Sequence, residues 1–349
     1  MFAKKPIVLL LCLFIFSLPY VFSGGSTSKA GSSNKQPDWV RDPYTKYNRQ
    51  ASVAAIGMGG SREAAEKGAY GNLIGIFGQS IQVDEKVSLS YQEAVKNGVT
   101  ANWSENTTVD STIMTSTGMD SLVGAEIGDR WDDGKEYFAL AFLDKAKASQ
   151  IYSGMIRSNQ TMINNLLIVP PEEKNTLNEY ARYQFAATIA DVNISYGNLL
   201  SVIGAPVQVL KKGDDYRLEA VSITKAIPIG LRVQNDVSNR IQGAFARALS
   251  GMGFQSGGNN SRYTLDVNIN SSPVIIANNP NNFTRIEVSA NLSDTSAGTV
   301  LLPYNFNDRQ GHTSQSEADN RAYAAAERKI NEEYTKILSD YLSQLLPKR

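Results

Sequence analysis

The strongest constraint on this chain is a change of period within one short stretch. Ala51 to Met58 is a run of small and β-branched residues that reads as a strand, Gly57-Met58-Gly59-Gly60 reads as a turn, and Ser61-Arg62-Glu63-Ala64 opens a helix with a serine cap and an acidic first turn. Apolar or small residues at Ala65, Ala69, Leu73, Ile76 and Phe77 then recur at helical spacing. A strand that feeds through a tight turn into a one-sided helix buries that side on a sheet, which points to a mixed architecture.

The same turn separates a nucleotide loop from a structural joint. A dinucleotide fingerprint wants glycines at its first, third and sixth positions, but counting from Gly57 the sixth is Arg62. A Walker loop wants Lys directly after its last glycine, where this chain has Ser61 and Arg62. The helix N-terminus still offers free amides beside Arg62, so Gly57, Gly59, Gly60, Ser61 and Arg62 stand as candidate anion-binding residues. Against this, Glu63 and Glu66 already oppose the helix dipole by about 0.3 to 1 kcal/mol each. The balance favours a structural turn.

Export fixes the chemical environment. Lys4 and Lys5 precede an apolar run from Ile7 to Phe22 that is too short for a membrane span, and Ser23, Gly24 and Gly25 follow it. This predicts a signal peptide over 1–23, cleaved after Ser23, with 24–36 as a polar tether. The one cysteine, Cys12, lies inside the apolar run and follows Leu9-Leu10-Leu11, which does not suit a lipid-acceptor cysteine. The exported chain would then hold no cysteine, which excludes disulfides, thiolate nucleophiles and Cys-based metal sites. Loss of Lys4 and Lys5 turns an even balance of 34 basic and 34 acidic residues slightly acidic. Nucleic acid is therefore not an expected partner.

Along the rest of the chain the pattern predicts an α+β protein. Its sections are a sheet-plus-helix domain over 37–147, a central antiparallel helical hairpin over 148–203 and a second α+β domain over 204–349. Ser80 to Tyr91 alternates as a strand, and Asn102 to Met119 reads as a polar excursion or edge strand. Leu122 to Trp131 and Glu136 to Leu143 flank Asp132-Asp133-Gly134-Lys135, whose Asp-Gly step is a hairpin signal. Asp144 to Ile168 keeps helical spacing, Pro170 and Pro171 end it, and a second helix is expected from about Glu172. Strands are expected at Val207 to Leu210, Tyr216 to Ile223, Ile227 to Val233, Tyr263 to Asn270, Arg285 to Asp294 and Val300 to Asn307. Helices are expected at Val237 to Leu249, closed by Gly251-Met252-Gly253, and from about Ser316, read as a serine cap before Glu317-Ala318, to Leu346.

The catalytic inventory is short. His312, the single histidine, falls in a polar turn, and Ser314 and Ser316 are too close in sequence to build a triad elbow with it. Asp129, Asp132 and Asp133 lack the spacing of a calcium loop and suit a solvated hairpin. No catalytic residue, metal or cofactor is expected. Eight Asn-x-Ser/Thr triplets, including Asn159, Asn193, Asn270 and Asn291, would suit a glycosylated surface adhesin in a eukaryotic pathway. Several of them fall inside predicted helices or strands.

Pro37-Asp38-Trp39, the strand to Gly60, Ser61 to Ala65 with the helix after it, and Tyr137-Phe138-Ala139-Leu140-Ala141-Phe142-Leu143-Asp144-Lys145-Ala146 resemble the LPP-twenty family of bacterial envelope lipoproteins, in the manner of its spirochaete members with a longer C-terminal part. The resemblance covers about Pro37 to Lys147. It implies a periplasmic or outer-membrane-associated protein whose first domain is similar to the N-terminal domain of flagellar assembly protein T. It implies no enzymatic activity. The leading expectation is a non-enzymatic exported protein that binds envelope proteins or a cell-wall-associated assembly, with assembly of an outer-membrane or flagellar structure as its setting, and is compatible with peripheral membrane contact and oligomerisation. Trp39, Tyr44 and Tyr47 are candidate contact residues. A small-ligand or nucleotide site at Gly57 to Arg62 is the alternative expectation, and a surface adhesin the second.

Overall fold

Strand β1, Ser52–Gly59, and helix α1, Arg62–Phe77, are joined by a two-residue turn in the computed structural model, which describes residues 35–78, 91, 122–208, 211–258 and 260–347. The signal peptide, nearly all of the tether, the expected strand at Ser80 to Tyr91 apart from Tyr91 itself, the 102–119 excursion and the triplets at Asn102, Asn106 and Asn259 lie outside the described residues. Residues 37–349 form one compact unit.

β1 lies beside β3, Tyr137–Asp144, which pairs in turn with β2, Ala125–Asp132, and both pairings are antiparallel. The β2–β3 hairpin forms at Asp133-Gly134, where Gly134 takes φ +86 and Asp133 accepts from the amides of Lys135 and Glu136 at 2.8 Å. Val53, Ala55, Ala139, Ala141 and Leu143 face α1, whose Ala65, Ala69, Leu73 and Phe77 close that core. Ile76 was expected on the same stripe but is 47% exposed, because the fourth turn already meets the sheet through Leu73 and Phe77.

Helix α2, Lys145–Leu166, continues directly from β3 with Asp144 as its cap, accepting from the Lys147 amide at 2.8 Å. Pro170 ends its extension and Pro171–Glu173 makes a 3-10 turn, so α3 starts at Leu177, not Glu172, with Thr176 capping the amides of Asn178 and Glu179. α3, Leu177–Val202, contributes to three cores. Leu177 and Tyr180 join the C-terminal sheet, Phe185 to Val192 pack along α2, and Leu199, Leu200 and Ile203 return to the α1 core.

One expected strand is a helix, and another is irregular where it is described. Tyr216 to Ile223 is helical, within α4, Gly213–Thr224. Its buried residues, Tyr216, Ala220 and Thr224, are spaced by four, while Leu218 is 68% exposed, so the helical period overrides the β-branched composition. Val207 and Gln208 are irregular, and 209–210 lie outside the described residues.

The C-terminal sheet has the order β5-β4-β6-β7-β8, with β4 at Pro228–Gln234, β5 at Gln255–Gly257, β6 at Tyr263–Val274, β7 at Asn282–Asp294 and β8 at Thr299–His312. β4 is parallel to both its neighbours, and β6 to β8 form an antiparallel meander. β6, β7 and β8 all run longer than their apolar alternation suggested, because their distal halves continue as a polar ladder beyond the core. Helix α5, Arg240–Gly251, ends at Gly253 with φ +88, as the glycine pattern required. Its start is three residues later than expected, and Val237 is 90% exposed. The last helix opens at α6, Gln315–Lys329, passes through a π turn at Ile330–Tyr334 and ends as α7, Thr335–Ser343. Ser314, not Ser316, is its cap and accepts from Glu317 N at 3.4 Å. The α+β class read from the sequence is the class observed.

Candidate functional site

At the glycine turn, helix α1 packs directly on strand β1. A β-carbon on Gly57 would run into the backbone of Ala65, Gly68 and Ala69, and one on Gly59 would sit 2.7 Å from the Ala64 β-carbon. These two glycines let α1 lie directly on β1, an approach that Asn72 secures by donating to the Ile56 carbonyl at 2.8 Å. Gly60 has open space around it. Ser61 Oγ accepts from Ala64 N at 3.2 Å, which satisfies one amide of the first turn. Arg62 Nε donates to Glu66 Oε1 at 3.0 Å, and Arg130 Nε reaches the same oxygen at 2.5 Å. The Arg130 hydrogen bond, then that of Arg62, holds the Glu66 carboxyl below the usual carboxylate range. Gly57 and Gly59 are thus occupied with packing, Ser61 with capping and Arg62 with Glu66.

The aromatic candidates lie on the opposite face of the same sheet. Trp39 is 7% exposed and packs on Ala54 and Leu140, with Tyr44 and Tyr47 half-buried beside it. Tyr47 stacks on Phe142, with ring centroids 4.2 Å apart and planes 15° from parallel. Its hydroxyl fills the space that a side chain at Gly128 would need, at the bulge where the β2 register shifts. The Arg49 guanidinium lies 4.1 Å from the Tyr44 ring centroid. Both faces of the small sheet are therefore covered, by α1 on one side and by this aromatic layer on the other.

Sequence reasoning passed over a third place. A cleft of about 380 Å³ opens between the start of α3, the edge of the C-terminal sheet and the end of α7. Leu177, Leu301, Tyr341 and Leu345 supply its apolar wall. Arg262 and Asp294 line its polar side, with Arg262 Nη2 3.0 Å from Asp294 Oδ2. Burial works against ionisation of Asp294, but the hydrogen bonds from Arg262 and Ser296 outweigh it and leave the carboxyl below its ordinary value. Tyr263 Oη accepts from Leu177 N at 3.0 Å, satisfying a first-turn amide of α3. Burial, with Tyr263 and Asp294 facing it, pushes the Tyr341 hydroxyl up to about 12.

Beneath the cleft mouth Glu173 pairs with Arg182, whose side chain is 2% exposed and also donates to the Leu166 carbonyl at 3.2 Å. The cleft draws on four separated stretches, around 172–181, 262–263, 294–301 and 341–346. No local motif marks it.

The remaining candidates carry less. His312 is the last residue of β8, and its Nδ1 accepts from Ser314 N at 3.3 Å. Asp129 pairs with Lys46 and Asp133 serves its own turn, and among the described residues no cluster of three His, Cys, Asp or Glu side chains suits a metal. Asn159 and Asn193 are 0% and 1% exposed and hydrogen-bond to each other at 2.8 Å, so neither triplet can carry a glycan in this fold. Among the described residues no helix is long and apolar enough to cross a membrane.

Residues 37–144 match the model of the LPP20 lipoprotein family, which spans the small sheet and α1. A secreted protein of Helicobacter pylori aligns over 81% of this chain and 98% of its own at 12% identity and a TM-score of 0.37. A minor lipoprotein of Acinetobacter baumannii aligns over 35% of this chain and 96% of its own at 14% identity and a TM-score of 0.25. No curated protein is a significant match to the sequence.

Proposed function

We propose, from the LPP20 lipoprotein domain at residues 37–144, that this exported envelope protein works by binding a segment of another envelope protein and has no reaction of its own. Assembly of an outer-membrane or flagellar structure is the setting we assign to that binding. The cleft at the start of α3 carries the reading. It combines two tyrosines, an arginine held in place by a carboxylate, and leucines within one cavity of about 380 Å³. Tyrosine and arginine over a desolvated apolar floor are the side chains that dominate protein–protein hot spots. The volume suits two or three residues of a partner chain.

Site-specific photocrosslinking tests the proposal. A photoreactive phenylalanine analogue at Leu301, inside the cleft, is expected to give a discrete protein adduct in intact cells, whereas the same analogue at the exposed Val237 gives none. Recovery of the Leu301 derivative as an uncrosslinked chain under all growth conditions would sink the reading. A small-ligand site is the second reading, and the same cleft favours it over the glycine turn. A low-mass adduct at Leu301 in place of a protein adduct would select it.

A further inference from the structure

The β6–β7 hairpin continues past the core it helps to build. From Asn270 to Pro273 the β6 side chains are exposed, Val274 is half-buried, and the tip carries Ile275 at 97% exposure with the half-buried Ile276 beside it. The tip is a formed turn, since Asn279 N donates to the Ile276 carbonyl at 3.2 Å and Asn278 takes φ +62. Register places side chains on the outer face in rows. The row nearest the tip holds Val274, Phe283 and Gly311, with the Phe283 ring lying across the space a side chain at Gly311 would fill. The next row holds Ser272, Arg285 and Arg309, with the Arg309 guanidinium 5.7 Å from the Phe283 ring centroid. Successive rows on one face are about 7 Å apart. Among the described residues Arg285 and Arg309 form no salt bridge. From Asn270 to Ile286 the sequence has no acidic residue, Glu287 stands one row farther from the tip than Arg285, and Asp308 lies opposite Ile286 on the other face.

We propose that this hairpin tip is a membrane-contacting element. Val274, Ile275, Ile276 and Phe283 enter the interfacial layer of an anionic bilayer, and Arg285 and Arg309 meet its phosphates. The order along the hairpin carries the argument. An apolar end followed about 7 Å back by two arginines that form no salt bridge among the described residues matches the order of acyl boundary and headgroup charge in a bilayer. The asparagines at 278, 279, 281 and 282 add hydrogen-bonding groups without adding charge that anionic lipid would repel. A tip of four apolar side chains, of which Ile275 is exposed and Val274, Ile276 and Phe283 are half-buried, is too small for a stable protein interface, which buries about 800 Å² per partner. Two arginines and one short apolar end give weak, reversible attachment, so the tip sets the orientation of a chain that a second contact retains.

The exported chain, from residue 24 onward, has no cysteine, so Ile275→Cys accepts a single environment-sensitive fluorophore. Vesicles containing phosphatidylglycerol are expected to blue-shift this label, and vesicles of phosphatidylcholine alone are not. The same label at Val237→Cys should not move with either. The double change Arg285→Gln with Arg309→Gln should weaken vesicle partition by about tenfold or more, and 0.5 M salt should weaken the unmodified chain similarly. Absence of a shift on anionic vesicles, an equal shift on neutral vesicles, or a protein crosslink at 275 without any vesicle shift would each overturn the proposal. Matching circular dichroism for the arginine variant keeps the comparison free of misfolding.

Discussion

Gly57 shows how little room separates a functional motif from a packing device. In sequence it could begin a phosphate loop, whereas in the fold the backbone of α1 occupies the place of its missing side chain. Gly57→Ala is therefore expected to destabilise the protein by about 3 kcal/mol, the upper part of the usual range for overpacking. Gly60→Ala, which meets nothing within 4 Å, should fall within about 0.5 kcal/mol of wild type. Thermal denaturation of the pair checks this, and equal Tm values for the two variants would contradict the packing account. Trp39, Tyr44 and Tyr47 follow the same logic. Each stands near prolines as an exposed contact would, yet the sheet face they cover has no other cover among the described residues.

For whole elements, the α2–α3 hairpin depends on a side chain more than on its loop. Arg182 reaches across to the final carbonyl of α2 and to Glu173 in the connecting turn, so a single buried cation closes the C-terminus of one helix and fixes the entry to the next. Arg182→Met should cost about 3 kcal/mol by leaving that carbonyl and that carboxylate without their donor, read as a lower urea midpoint. Loss of less than 1 kcal/mol would mean that the pair is dispensable. The hairpin itself was legible, because Ala148, Met155, Met162, Ile163 and Leu166 repeat at helical spacing and the double proline can only end a helix. So was the Asp133-Gly134 turn. Two features misled the reading. Tyr216 to Ile223 alternates well enough to imitate a strand, and Ser316 imitates a cap that Ser314 provides. The cleft was illegible for a different reason, since only the tertiary fold brings Thr176, Arg262, Asp294 and Tyr341 together.

Across the whole molecule, tyrosine is the titrating group that every core shares. Burial pushes Tyr196, Tyr304 and Tyr341 up to about 12, and raises Tyr91, Tyr152 and Tyr334 further. The unfolded chain ionises these groups near the ordinary value of about 10, while the folded chain keeps them neutral. Their contribution to stability is thus fully present below pH of about 10 and is lost as pH rises toward 12. The urea midpoint should hold from neutral pH to about 9 and then fall steeply, and a flat profile through pH 11 would refute the assignment. Helix α3 has a further consequence at this scale. Its 26 residues make a rod about 39 Å long, gripped near one end by the floor of the cleft and at the other by the core of the first sheet. A tilt of about 5° at Leu177 would displace Ile203 by about 3 Å, more than a close-packed core accommodates. The rod is a stiff member held at both ends, so under the proposed binding a pull on a segment seated in the cleft would reach the first sheet as force along its axis.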